Sequence, residues 1–253
     1  MVVDTHCHIF SEYFEDIDKV IERCLCHGVE MIIVNGTNRH DNEEVLKLVR
    51  KYDIVYGALG IQPEEVNDYT EDNLKFIEDH IDDDKIIAVG EIGLDYHYEC
   101  DKELQKELFK KQLDIAKKHN KPVIIHSRDC ITETYNILKE TNVKGIMHCY
   151  SGSVEMAKEF VKIGFLLGIG GVSTFKNASK ILDVIKNIPL EYIVLETDAP
   201  YLSPEPYRGK RNEPCNVSVI LKKICEVKGI DYKDASDVTT RNVFRLFDKQ
   251  LKL

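Results

Sequence analysis

Eight short apolar runs rich in Val and Ile, eight intervening stretches with helical periodicity, and a length of 253 residues predict an α/β fold. The expected architecture is a single (β/α)8 TIM barrel with an additional C-terminal helix. A strand covered by helices on both faces is apolar throughout, which is how these runs read. The length equals that of one barrel, so one domain over 1–253 is expected rather than two. An open doubly wound sheet is the competing arrangement, but it uses fewer strands, and no G-x-G-x-x-G turn follows the first run.

In order, the runs are VVDTHCHI (2–9), MIIVNG (31–36), IVYGALG (54–60), IIAVGEIG (86–93), PVIIHS (122–127), KGIMHCY (144–150), FLLGIGG (165–171) and YIVLETD (192–198). Helices are expected over 14–27, 41–52, 70–80, 101–120, 131–141, 154–163, 178–186 and 217–228, and a last one over 238–247 closes the chain. Thr70 and Ser153 sit where N-caps belong, and Gly28 and Gly164 where helices stop. Pro200, Pro204, Pro206 and Pro214 mark 199–215 as an irregular loop.

A hydrophobic content of 43% and a charged content of 31% are those of a globular protein with a sizeable core. The net charge of -10 argues against coating nucleic acid through a broad basic face, although a local phosphate site is compatible with it. Carboxylates gathered around bound cations would also overstate the negative charge a substrate meets. The eight cysteines lie mostly in apolar or helical segments and are read as reduced thiols, with Cys24 and Cys26 as helix packing rather than a metal clip. The first run begins at Val2, which leaves no space for a leader, and no apolar run approaches the ~20 residues a bilayer span needs. A cytoplasmic protein without a membrane partner is expected.

Barrels of this type build their sites at the C-terminal ends of the strands. His6 and His8 close the first run, Glu91 the fourth, His126 the fifth, His148 the sixth and Asp198 the eighth. A polar residue at one strand end marks only the exit from the core. Six metal-binding types at five ends point to a shared site. Side chains at i and i+2 of a strand share a face, so His6 and His8 can grip one ion while Cys7 points away. The same alternation turns Cys149 away from His148 and argues against a thiol nucleophile. Six donors exceed the three that one catalytic zinc ion typically uses, so two divalent cations are expected. Mixed imidazole and carboxylate donors suit Zn, Mn, Co or Ni, with Mg favouring oxygen.

The stretches D-T-H-C-H (4–8), G-E-I-G-L-D-Y (90–96), P-V-I-I-H-S-R-D (122–129), H-C-Y-S-G (148–152), E-T-D-A-P-Y-L (196–202), R-G-K-R-N-E-P (208–214) and N-V-F-R-L-F (242–247) resemble, in order, those of the TatD-like metal-dependent deoxyribonucleases of the amidohydrolase superfamily. The resemblance implies that His6, His8 and Asp198 hold one ion, that His126 and His148 hold the other, and that Glu91 bridges them. It also implies that Asp198 acts as general base. The implied activity is two-metal hydrolysis that trims single-stranded DNA from the 3′ end. The same site could instead attack a carbonyl, as in an amide, a lactone or an aminoacyl-tRNA ester. Two departures bear on the substrate rim: Phe10 stands where the family often has Asp, and Gln62-Pro63 where it often has His-Pro.

Arg128, just beyond His126, and Arg208, Lys210 and Arg211 in the proline-rich loop are expected to contact flanking phosphates. Tyr96, Tyr150, Tyr201 and Phe175 lie near the same strand ends, where aromatic rings can stack on unpaired bases. Asp4 is expected to support the site from behind. No obligate protein partner is evident. A non-catalytic, metal-storing scaffold is disfavoured because all six donors are present.

Overall fold

The structure is a computed structural model, and it describes residues 1–251. Eight parallel strands follow one another around a sheet in chain order: β1 (Val2–Cys7), β2 (Val29–Asn35), β3 (Val55–Leu59), β4 (Ile86–Asp95), β5 (Val123–Arg128), β6 (Gly145–Met147), β7 (Phe165–Ile169) and β8 (Ile193–Leu195). Between them run α1 (Ile17–Cys26), α2 (Arg39–Lys51), α3 (Glu71–His80), α4 (Lys102–Lys118), α5 (Ile131–Leu138), α6 (Val154–Lys162) and α7 (Ser179–Asn187), followed by α8 (Val217–Lys228) and α9 (Tyr232–Phe247). This is the (β/α)8 barrel with a terminal helix that the sequence predicts.

Caps fix the helix starts. The Asp16, Asn38, Asp101 and Ser153 side chains accept backbone N–H groups of the first turns of α1, α2, α4 and α6. Asn73 Oδ1 accepts the Thr70 N–H at 2.7 Å at the start of α3. Gly28 and Gly164 follow α1 and α6 with φ of 75° and 92°, a conformation that costs glycine no side-chain clash. Two starts differ from expectation by three residues or more. Asp16 is the cap of α1, so Phe14 lies in the turn before it. The last helix begins six residues early, at Tyr232 behind the Asp231 cap. Its first turns bury Ala235, Ser236, Thr239 and Thr240, a small and polar face without an apolar stripe, and Ser236 and Thr240 donate to the Met1 carbonyl.

Inside the barrel, Val3, Ile33, Ile87, Ile124, Ile146, Leu166 and Val194 form one cluster, and Val243 and Phe247 of α9 plug its lower end. Phe247 is fully buried, which is worth about 1.5–3 kcal/mol relative to exposure. A second, larger cluster fills the layer between sheet and helices, and it holds Cys7, Cys24, Ile32, Val34, Ile125 and Met147.

Ladder irregularities aim two strands at the barrel mouth. Asp4 pairs with Ile32 and Cys7 with Val34, so Thr5 and His6 stand opposite Ile33 alone. Val89 pairs with Val123 and Ile92 with Ile125, so Gly90 and Glu91 stand opposite Ile124 alone. Each extra residue is a bulge that changes the inward phase of its strand. Gly90 is required there, since a Cβ would lie 2.7 Å from the Cβ of Ile124.

The seam between β8 and β1 closes beyond the end of β8. Cys7 forms a bridge with Ala199, the Asp198 N–H donates to the His6 carbonyl at 2.9 Å, and the Thr5 hydroxyl donates to the Leu195 carbonyl at 2.9 Å.

Candidate metal centre

The bulge in β1 turns His6 inward, and Cys7 points into the outer layer, where its Sγ faces the Ile33 carbonyl at 3.7 Å. Burial pushes the Cys7 thiol up, with nearby Asp4 adding to the shift, so this cysteine is packing. His8 follows on the mouth side. Its Nδ1 faces the Asn35 carbonyl at 2.8 Å, leaving Nε2 free to face His6 Nε2 at 3.1 Å. Asp198 lies past the end of β8 in a left-handed conformation, φ 56°, which Asp tolerates better than most residues. Its Oδ1 is 3.6 Å from His8 Nε2 and 3.8 Å from His6 Nε2.

Donors held at about 2.1 Å around one tetrahedral ion lie roughly 3.4 Å from one another. The contacts among His6, His8 and Asp198 fall around that value, so these three fit a divalent cation. A second group of donor atoms close enough to share an ion consists of His6, Glu91 and His148.

Glu91 divides its carboxylate between the two sides. Oε2 lies 3.2 Å from His6 Nε2 and 3.5 Å from His8 Nε2. Oε1 lies 2.8 Å from His126 Nδ1 and 4.0 Å from His148 Nε2. His148 Nε2 is also 3.8 Å from Asp198 Oδ1. His126 meets the centre through Glu91 and stands outside these groups and outside a third, His148, Cys149 and Glu196, which brings the Cys149 thiol beside His148 despite the strand alternation expected of it. Among the described residues, Glu91 and Asp198 have only histidines as ion-pair partners.

Burial disfavours every charge in this cluster, and the charges answer one another. Burial would raise Glu91, but His6, His126 and His148 hold it well below the ordinary carboxylate range. Asp198 is likewise held low against burial, chiefly by His8. Burial would lower His126 and His148, but Asp95 and Glu91 push the former up to about 10, and Glu196 leads in pushing the latter up to about 9. His8 rises through Asp198 against its burial. Burial and the neighbouring His148 push His6 down, and the two rings stack at 3.5 Å.

Three carboxylates behind the donors complete the site. Asp4, buried and raised by that burial, accepts the N–H groups of His6 and Thr197 and the Thr197 hydroxyl. It therefore ties β1 to the segment carrying Asp198, as the sequence suggests for a supporting residue. Asp95 and Glu196 were not legible as site residues. Asp95 Oδ2 faces His126 Nε2 at 2.9 Å, while Gln105 clamps the Asp95 backbone through N–H and carbonyl. Glu196 Oε1 accepts the Cys149 N–H at 2.6 Å and lies 3.2 Å from His148 Nδ1. That approach is oblique to the ring N–H, so the nitrogen has no aligned partner and the contact is one of charge. Gly168 leaves the space for Glu196, since a Cβ there would lie 2.1 Å from Oε2. The signal in the sequence is weak: Glu196 stands two before Asp198, and Asp95 four beyond Glu91 on a strand that runs past its expected end.

Of the expected substrate contacts, Arg128 is exposed, with its guanidinium 5.4 Å over the Tyr98 ring. Arg208 lies 3.8 Å over the Phe175 ring. Arg211 lies over Phe14 at 4.7 Å and donates to the Tyr13 carbonyl. Lys210 is exposed, and its carbonyl accepts the Ser203 hydroxyl. Tyr96 bonds Glu133 and Tyr150 is buried, which leaves Tyr201 as the open ring of the four singled out. All eight cysteines are free, and no described helix is long and apolar enough to cross a membrane.

Imidazoles and carboxylates converging at the C-terminal mouth of an eight-stranded barrel define the class: a metal-dependent hydrolase built on this fold. The chain belongs to the TatD related DNase family, whose model matches residues 3–248. It is 42% identical over 252 residues to the uncharacterized metal-dependent hydrolase YabD of Bacillus subtilis (strain 168), covering 98% of this chain and 99% of that one. It is 36% identical to the uncharacterized metal-dependent hydrolase MJ1582 of Methanocaldococcus jannaschii, covering 98% of each. The crystal structure of YjjV, a TatD homologue from Escherichia coli K12, superposes with a TM-score of 0.93 at 32% identity over 98% of both chains.

Proposed function

We propose that this chain is a two-cation phosphodiesterase that shortens single-stranded DNA from the 3′ end. The observation that carries the reading is the division of Glu91, one oxygen toward His6 and His8 and the other toward His126 and His148. Membership of the TatD related DNase family supports DNA as the substrate. His6, His8 and Asp198 would hold one ion, His126 and His148 the other, and Glu91 both. Zn, Mn, Co and Ni match the imidazole-rich donors better than Mg. When bound, a pair of divalent cations supplies positive charge to the phosphoryl oxygens and lowers the cost of ionising water.

The chain's own residues do the rest. Asp95 and Glu196 keep protons on the far nitrogens of His126 and His148, so the near nitrogens present lone pairs. Asp198, held ionised and open to the mouth, takes the proton of the attacking water. Arg128, Arg208 and Lys210 meet the phosphates that flank the scissile one, and the free N–H groups of Arg211 add a fourth contact. The closed barrel beneath keeps bulk water from the floor of the site.

A 5′-labelled single-stranded oligonucleotide tests the reading, with and without chelator and with Glu91→Ala. The expected result is stepwise loss from the 3′ end that stops with chelator and in the variant. Metal-loaded protein that leaves DNA intact but turns over an amide, lactone or aminoacyl ester would replace the phosphodiester with a carbonyl substrate.

A further inference from the structure

Two exposed tyrosines stand after strands on opposite sides of the barrel. Tyr201 follows β8 and Tyr98 follows β4, so they sit four strands apart in an eight-stranded ring, with the metal centre between them. Tyr201 is 50% exposed and Tyr98 46%. Both are held in place. The Tyr201 hydroxyl donates to that of Tyr13 at 3.0 Å, with the rings edge to face at 5.9 Å. Tyr98 has the Arg128 guanidinium on one side and the His97 ring at its edge, 5.1 Å away. The Tyr201 ring also lies 6.3 Å from that of His8, so a base resting on it would place its own phosphate beside the donors.

A cation accompanies one of the two rings, Arg128 over Tyr98, while Asp198 and Glu12 lie near Tyr201. Arg128, Arg208 and Lys210 have no carboxylate within ion-pair distance among the described residues, unlike Arg39, Arg50, Lys75, Lys118 and Lys233 on the helices. Unpaired cations beside open aromatic rings fit a ligand with phosphates and planar faces together.

We propose that Tyr201, braced by Tyr13, and Tyr98, braced by Arg128, are base-stacking platforms on either side of the metal centre, selecting phosphodiesters flanked by unpaired bases. This rests on the nuclease reading of the site and adds to it the residues that read single-strandedness. A base stacked inside a duplex offers neither face to a ring at the rim, and a terminal pair offers only one, so two platforms favour an unpaired end over a duplex without steric closure of the mouth.

The test compares kcat/KM of manganese-loaded protein on a single-stranded oligonucleotide and on the same oligonucleotide with its last three nucleotides abasic. Stacking on an aromatic side chain predicts a preference for the base-bearing substrate of about fivefold or more per platform. Tyr201→Ala and Tyr98→Ala should each compress that ratio mainly through KM, with metal content intact, and Tyr201→Phe should keep it. A Tyr201→Phe whose ratio falls as far as that of Tyr201→Ala would assign the effect to the hydroxyl rather than to the ring and overturn the proposal, as would alanine variants with an unchanged ratio. Wild-type protein that cleaves neither substrate would sink the nuclease reading instead. In that event fluorescence anisotropy of the labelled oligonucleotide decides the platforms: weaker binding by both alanine variants retains them, and equal binding removes them.

Discussion

Asp95→Asn changes one oxygen to an amide nitrogen and should disable one half of the metal centre while leaving the fold intact. Asp95 Oδ1 accepts the His97 N–H at 2.8 Å, and Oδ2 faces His126 Nε2 at 2.9 Å. An asparagine that keeps the first bond must turn its NH2 toward His126, where only an unprotonated Nε2 can accept it. The ring proton then moves to Nδ1, the nitrogen that faces Glu91, and the lone pair needed for a cation is lost. Flipping the amide instead sets its NH2 against the His97 N–H. Either way a charge-assisted hydrogen bond disappears, at about 1.5–3 kcal/mol, equivalent to roughly 10- to 150-fold in affinity. Losses of about 10- to 100-fold are usual when the partner of a ligating histidine is removed. Titration of metal-free protein with Mn²⁺ or Zn²⁺ against a competing indicator measures it. One site should weaken by that factor and the other, built on His6, His8 and Asp198, should hold. Two sites of wild-type affinity in Asp95→Asn would refute the role assigned to this carboxylate.

Other perturbations test the surroundings. In metal-free protein His148 and His126 are raised to about 9 and about 10, above the ~6.5 of an unfolded chain. Their stabilisation is thus fully present below pH ~6.5 and lost as pH rises through the folded values. The melting temperature of chelator-treated protein should fall from pH 7 to 10 more steeply than that of metal-loaded protein, and parallel curves would contradict the coupling. Asp4→Ala leaves the buried Thr197 N–H and hydroxyl without their acceptor and should cost about 2–4 kcal/mol. Denaturant unfolding reads this, and a loss under ~0.5 kcal/mol would mean that the seam does not depend on it. Gly168→Ala drives a methyl into Glu196; expected are about 1–3 kcal/mol of lost stability and weaker metal binding in the same titration. Unchanged binding would detach Glu196 from the site.

The order of strands and helices was legible because each strand is apolar on both faces and each helix is amphipathic, and those periods survive in a single sequence. Where the buried face is small and polar, as at Ala235, Ser236, Thr239 and Thr240, the pattern fades, and α9 is read six residues short. The donors were legible as chemical types at strand ends. How they are aimed was not. The bulges at Thr5/His6 and Gly90/Glu91 are backbone events that side-chain alternation cannot reveal, yet they set which residues face inward. His148 and Asp198 stand beyond the paired parts of very short strands and owe their positions to left-handed turns at Cys149 and Asp198. Asp95 and Glu196 escaped because a carboxylate that meets a histidine of another strand looks in sequence like any other polar residue near a strand end.

Anomalous scattering from a crystal of the manganese-loaded protein tests the central claim most directly, because it locates ions without reference to activity. Two peaks about 3.5–4 Å apart are predicted, one against His6, His8 and Asp198 and the other against His126 and His148, with Glu91 between them. A single peak, or ions bound away from Glu91, would contradict it.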